Sequence, residues 1–167
     1  MLQFIVTNHL KHEIVLVDSD DEKVRYCFEY KKDTPDVVSL QVNERFMDYE
    51  LTTFKQLKID GHVLSVVSCY AVDDSHKKIS LNEDYPYIIF PRTKDEIHCW
   101  DYMYDADRKV KCKSKITTAE IGSNVSLRIL QVWRDIEYLC LEEKGGFVWE
   151  EFYIENVGLI KRIEKIY

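Results

Sequence analysis

Asp60-Gly61, set between two long apolar-rich segments, constrains this chain more than any other feature. An Asp-Gly pair between hydrophobic runs is the strongest short-range hairpin signal, because such turns need a positive φ that glycine adopts without steric cost. Leu51 to Ile59 and His62 to Val72 flank the pair and read as antiparallel strands. Closed tightly on Asp60-Gly61, the hairpin sets Ile59 opposite His62, Leu57 opposite Leu64, Lys55 opposite Val66 and Leu51 opposite Tyr70. One face then collects Leu51, Leu57, Ile59, Leu64, Val66 and Tyr70, as a strand pair packed on a core requires.

The same pattern recurs along the chain. Glu13 to Asp18 and Lys23 to Tyr30 read as strands around the polar Ser19-Asp20-Asp21, and in the second Val24, Tyr26, Phe28 and Tyr30 alternate with Arg25, Cys27 and Glu29. Thr34-Pro35-Asp36 breaks the chain before a further strand over Val37 to Phe46. Tyr85-Pro-Tyr-Ile-Ile-Phe-Pro91 is apolar but bracketed by prolines, which cannot donate to a ladder, so it belongs at a sheet edge or in a crossover.

Ile97 to Tyr104 and Asp107 to Ile116 form another hairpin about Asp105-Ala106. A symmetric loop there puts Cys99 opposite Cys112, Trp100 opposite Lys111 and Tyr102 opposite Lys109. The aromatic and lysine side chains would then share one face, suited to cation–π contact and to stacking a planar or anionic ligand, or to an ordinary solvated surface.

Ser126 to Arg134 fits a helix capped by Ser126 as well as a strand, whereas Ile136 to Leu141 reads as a strand entering Gly145-Gly146. A two-residue turn at that glycine pair faces Leu139 with Phe152 and Leu141 with Glu150, with Val148 on the same side. Tyr138, Cys140, Trp149 and Tyr153 then share the other face with Glu142 and Glu151.

A chain of 167 residues is long enough for one real core and short for two, so residues 1–167 read as a single β-rich domain. Aromatic residues at 13% beside only five Gly and three Pro suit strands and exclude disorder. The net charge of -7 argues against nucleic acid as partner, and no apolar run approaches the roughly 20 residues of a membrane span. The N-terminal stretch lacks a basic leader region, which favours a cytoplasmic location, with export after loss of a leader as the alternative.

Cys27, Cys69, Cys99, Cys112 and Cys140 are odd in number and contain no CxxC, so free thiols are expected, with a cross-strand Cys99–Cys112 disulfide in an oxidising compartment as the alternative for that pair. His9, His12, His62, His76 and His98 have no metal-ligand spacing, and neighbouring carboxylates such as Glu150-Glu151 point to opposite faces of a strand. No nucleophile elbow, P-loop or dinucleotide fingerprint occurs, so neither catalytic residues, nor a metal, nor a cofactor is implied.

Phe152-Tyr153-Ile-Glu-Asn-Val157-Gly158-Leu159-Ile160-Lys161-Arg162, an aromatic strand followed by Val-Gly-Leu-Ile-Lys and a last strand, resembles the closing hairpin of bacterial half-open β-barrel proteins. These have the lipoprotein-carrier (LolA/LolB-like) architecture, and the resemblance implies a curved antiparallel sheet wrapped around an apolar cavity. It covers this stretch alone and carries no functional residue across.

The expected fold is therefore mainly β: a single curved antiparallel sheet or half-barrel of consecutive hairpins, with room for one short helix. The expected function is a non-enzymatic binding module holding an apolar or amphipathic small molecule or lipid on the concave face. Leu57, Leu64, Val66, Leu139, Leu141, Val148 and Phe152 are its candidate lining, and Trp100, Tyr102, Lys109 and Lys111 form a second candidate surface. The alternative is an interaction module, binding a protein partner or a second copy through strand edges or an aromatic patch.

Overall fold

The computed structural model describes residues 10–17, 23–46, 49–121, 125–139, 145–155 and 157–166. Their regular structure is all strand: β1 (Leu10–Val17), β2 (Lys23–Thr34), β3 (Val37–Phe46), β4 (Tyr49–Asp60), β5 (Val63–Asp73), β6 (Lys78–Ser80), β7 (Tyr85–Ile89), β8 (Ile97–Met103), β9 (Arg108–Ile121), β10 (Val125–Tyr138), β11 (Gly146–Ile154) and β12 (Gly158–Ile166). No helix among the described residues is long and apolar enough to cross a membrane. Residues 126–134, which fit either a helix or a strand, lie in β10.

Successive strands pair antiparallel, as the run of hairpin signals predicts, but they divide into two sheets instead of one. The first runs β1-β2-β3-β4-β5, with β6 and β7 both on the far side of β5; the second runs β12-β11-β10-β9-β8. β7 lies near β8 and β1 near β12, so the sheets face each other without closing into a barrel. The proline-bracketed segment is the edge strand β7, with a ladder to β5 alone.

Its outer carbonyls are met by side chains of the second sheet. Trp100 Nε1 on β8 donates to Pro86 O at 2.8 Å, Ser114 Oγ on β9 donates to Ile89 O, and Arg134 Nη1 on β10 donates to Tyr87 O at 2.9 Å. The packed core draws on both sheets: Val38, Leu57, Leu64, Val66 and Ile88 meet Ile116, Leu130, Val132, Tyr153 and Leu159.

Three registers differ from the sequence reading. At the first hairpin Asp60 pairs with Val63, so Gly61 and His62 form the turn, with Gly61 at φ +55°. The slip of two residues keeps each side chain on its expected face, so Leu57 meets Val66 and Ile59 meets Leu64. A bulge at Gln56/Leu57 then sets Lys55 against Cys69 and turns Tyr70 to the other face, where its ring stacks on Phe54 at 4.9 Å.

The second difference moves side chains across the sheet. The β8–β9 loop is three residues, 105–107, closed by Tyr104 N–H donating to Arg108 O at 2.9 Å. Trp100 therefore pairs with Cys112 and Tyr102 with Val110, and the lysines fall on the opposite face. Lys109 pairs instead with Asp101 at 2.6 Å and Lys111 with Glu137, so the expected face shared by Trp100, Tyr102, Lys109 and Lys111 does not exist. The aromatic partner of that lysine row is Trp133, whose ring centroid lies 5.4 Å from Lys113 Nζ and 5.1 Å from Lys115 Nζ. Cys99 is exposed and Cys112 buried, both free, on opposite faces.

Third, Gly146 is the first residue of β11 and pairs with Glu137, so Gly145-Gly146 is not a two-residue turn. Leu139 stands at 53% exposure, and Leu141 lies outside the described residues. Phe152 pairs with Gln131 and Val148 with Asp135.

Two measurements test these registers. Nothing lies within 4 Å of a Cβ placed on Gly61, so Gly61→Ala should cost only its left-handed φ, about 1–2 kcal/mol in denaturant unfolding. In native protein a thiol reagent should modify Cys99 well before Cys69 or Cys112. A Cys99–Cys112 bridge in non-reducing peptide maps would overturn the register of β8 on β9.

Candidate functional site

On β4, β10, β11 and β12 a charged residue stands on the inward side of the strand, beside the packed core. On β10, Leu130 and Val132 are followed at the same alternation by Arg134 and then Ile136. On β11 the inward run is Tyr153, Glu151, Trp149 and Phe147; on β4 it is Leu57, Lys55, Thr53 and Leu51. Arg162 on β12 pairs in register with Glu151. These four charges form a layer across the interior, with the packed core on one side.

On the other side is a cavity of about 730 Å³ between the two sheets. Its apolar wall includes Val42, Leu51, Ala71, Leu81, Val110, Ile136 and Phe147, and its aromatic wall Tyr87, Tyr102, Tyr104, Tyr138 and Trp149. Lys55, Arg134 and Arg162 border it as well, so the charged layer is its floor. Tyr49 and Ile79, both exposed, also line it and mark its rim. A depression of about 360 Å³, lined mainly by polar side chains of β2 to β5, lies on the outer face of the first sheet.

Glu151 is fully buried and completely engaged. Arg134 Nε donates to its Oε2 at 3.0 Å, Tyr153 Oη donates to the same oxygen at 3.0 Å, and Arg162 donates through Nε at 3.0 Å and through Nη2 to Oε1. Burial works against the carboxylate's charge, but Arg134 and Arg162 outweigh it and hold its pKa down at about 2. Both guanidiniums also lie over rings, Arg134 Cζ 4.4 Å from the Tyr87 centroid and Arg162 Cζ 4.2 Å from that of Trp149. Arg134 Nη2, buried, has no hydrogen-bond partner among the described residues.

Lys55 Nζ approaches the rings of Tyr87 and Tyr104 at 5.0 and 5.6 Å. Burial pushes its ammonium down to about 8. Burial also raises the phenols of Tyr87, Tyr102 and Tyr104, and lifts the Cys112 thiol to about 11. Among the described residues Glu151 is the carboxylate bonded to Arg134 and Arg162, and Lys55 Nζ makes no hydrogen bond or ion pair. Arg108 on β9 and the acids Glu44 and Glu164 also border the cavity.

Among the residues singled out in the sequence, Tyr102 lines this cavity. Leu57, Leu64 and Val66 are packed core, Trp100 is half-buried against Pro86, and Lys109 and Lys111 lie in outer-face ion pairs. Val148 and Phe152 fall on the side of β11 away from Trp149, Glu151 and Tyr153, where Lys161 Nζ lies 6.0 Å from the Phe152 ring centroid. Leu139 is an exposed loop residue.

The residues that sequence reasoning missed are Lys55, Arg134, Glu151 and Arg162. For Arg134, between the buried Val132 and Ile136, and for Glu151, between Trp149 and Tyr153, the signal was the alternation itself. Lys55, between Leu57 and Thr53, gave half of it, and Arg162, between exposed Ile160 and Glu164, gave none. His62 and His98 come within 5.6 Å ring to ring, with Glu96 at 3.0 Å from His98 Nε2. Among the described residues no group of three or more His, Cys, Asp or Glu is placed to hold a metal.

The Glu151 arrangement has a signature in pH. Its folded value, about 2, lies below the ordinary 4.5, so the stability it carries is complete above about pH 4.5 and is lost as pH falls toward 2. Wild-type unfolding free energy should drop steeply across that window. Glu151→Gln should lose about 3–5 kcal/mol at neutral pH, because it strands two buried guanidiniums, and should show a flatter acid limb.

Set against protein-family models, curated proteins and solved structures, the chain matches none.

Proposed function

We propose that this chain is a binding module that takes one small amphipathic molecule into the cavity between its sheets and performs no chemistry on it. The observation that carries this reading is the cavity: about 730 Å³, bounded by aromatic and aliphatic walls with a few convergent polar groups. Ligand sites commonly measure about 300–1,000 Å³ and have that mixture of lining. Dispersion against the walls and loss of water from the ligand's apolar part would supply the affinity, and the charged floor its orientation.

A carrier role for lipid-like molecules, of the kind implied by the lipoprotein-carrier resemblance, belongs to the same proposal. In such a role the ligand would be enclosed between two facing sheets instead of lying on one concave surface.

The interaction-module reading is favoured by β8, an edge strand of the second sheet with Ile97, Cys99 and Met103 exposed on its outer face. Native mass spectrometry of freshly purified protein separates the two. A monomer with a co-purifying small mass supports the cavity reading, and a ligand-free dimer supports the other.

A substitution gives a second test. Ala71 is buried and lines the cavity, so a larger side chain there has empty space to enter. Ala71→Phe should leave thermal stability within a few degrees of wild type and weaken binding of the neutral dye Nile red by about tenfold or more. In a fully packed interior the same change would cost about 1–3 kcal/mol, which would count against the cavity.

A further inference from the structure

We infer that the ligand's polar end is an anion, a carboxylate or phosphate, held at the cavity floor between Lys55 and Arg134, with its apolar remainder directed toward the rim. This rests on the cavity-binding reading and names the chemical class that the floor selects.

The first argument is charge balance. Lys55 Nζ borders the floor with no hydrogen bond or ion pair among the described residues, and the neighbouring Glu151 carboxylate already accepts from both arginines and from Tyr153. An uncompensated charge in a low-dielectric interior is costly, and a buried cation is neutralised either by losing its proton or by gaining an anion. The depressed Lys55 ammonium is the first response, and a bound anion would supply the second.

The second argument is the unsatisfied donor beside the floor. Arg134 spends Nε on Glu151 and Nη1 on the Tyr87 carbonyl and Cys112 Sγ, while Nη2, shielded from solvent, has no acceptor among the described residues. Arg162, by contrast, gives both Nε and Nη2 to Glu151. Arginine donors match carboxylate and phosphate oxygens in geometry, and charge-assisted bonds of this kind are the strong ones.

The third argument is polarity along the cavity. Beyond the floor the lining becomes Leu51, Ala71, Val110 and Ile136, which gives a ligand tail an apolar path. Glu44 also borders the cavity, but it pairs with Leu51, and Leu40 pairs with Lys55. Four residues of extended chain, about 13 Å, therefore separate Glu44 from the floor position. Glu164 accepts from Trp149 Nε1 and stands two residues along β12 from Arg162, also on the rim side of the charged layer.

The groups facing Lys55 set its pH behaviour. They are Cys69 on β5, Tyr87 on β7, Tyr104 just after β8, Arg134 on β10, Glu151 on β11 and Arg162 on β12. Burial raises the Cys69 thiol and both phenols, the arginines stay charged, and Glu151 stays ionised. Lys55 is thus the member of this set that changes charge on going from neutral to mildly alkaline pH. Affinity for an anion should be highest below its value of about 8 and fall above it.

The test uses the delipidated 167-residue chain with Nile red in the cavity, displaced by hexadecanoate, hexadecyl phosphate, hexadecanol or hexadecyltrimethylammonium. Hexadecanoate or hexadecyl phosphate should displace the dye at a concentration about tenfold or more below that of hexadecanol, and the cation should be weakest. Whichever of the two anions is stronger identifies the headgroup. Lys55→Met should abolish the anion's advantage while leaving hexadecanol unchanged. Lys55→Arg should keep the advantage and lose its decline between about pH 7 and pH 9.5. Equal displacement by acid and alcohol, or an advantage that survives Lys55→Met, overturns the anion site and leaves the cavity reading standing. No binding of the dye or of any of the four amphiphiles overturns both.

Discussion

The interior of this molecule depends on the ion cluster formed by Glu151, Arg134 and Arg162. A carboxylate and two guanidiniums removed from water are tolerated only when geometry and hydrogen bonding are nearly complete, and here the carboxylate accepts from three side chains. The cluster joins β10, β11 and β12, and through Arg134 Nη1 and the Tyr87 carbonyl it reaches the first sheet. It therefore holds strands of the second sheet in register and braces that sheet against the other. Replacing one member by an apolar residue would leave the others buried and unmatched.

The same cluster divides the interior. On one side the alternating leucines, valines and isoleucines of both sheets pack together; on the other, tyrosines and smaller side chains enclose empty volume. Guanidiniums already committed to Glu151, Tyr87 and Trp149 cannot move to fill that space. Fold and candidate site thus have one physical origin, in which the charged layer that terminates the core also forms the floor of the cavity.

Much of the architecture was legible in the sequence and the site was not, for a definite reason. Strand content, antiparallel hairpins and the edge position of the proline-bracketed segment follow from local periodicity and turn chemistry, both short-range properties. Facing depends on parity. An extra residue in the 105–107 loop carried Trp100 and Tyr102 from the lysine side to the interior, whereas the two-residue slip at Gly61 left Leu57 and Leu64 facing inward. Which strands share a sheet and how the sheets meet depend on contacts between distant residues. Arg134 and Glu151 look like surface charges until their partners are known, although their places among Val132, Ile136, Trp149 and Tyr153 are inward by alternation.

The seam between β7 and the second sheet has a mechanical consequence. Within each sheet strands are joined by ladders, which resist separation because many bonds must break together. Along this edge the links are three side-chain donors from β8, β9 and β10, supplemented by Asn82, whose backbone N–H reaches Tyr104 O at 3.3 Å and whose side chain reaches Met103 O at 3.0 Å. Each contributes on the order of 1 kcal/mol net, and each can be released singly. Under load these fastenings would release one at a time, with every ladder intact on either side, while the core shared by the two sheets still holds them together. Tyr87, Tyr102 and Leu81 lie along the same edge and line the cavity, so this stepwise seam is also a wall of the interior space.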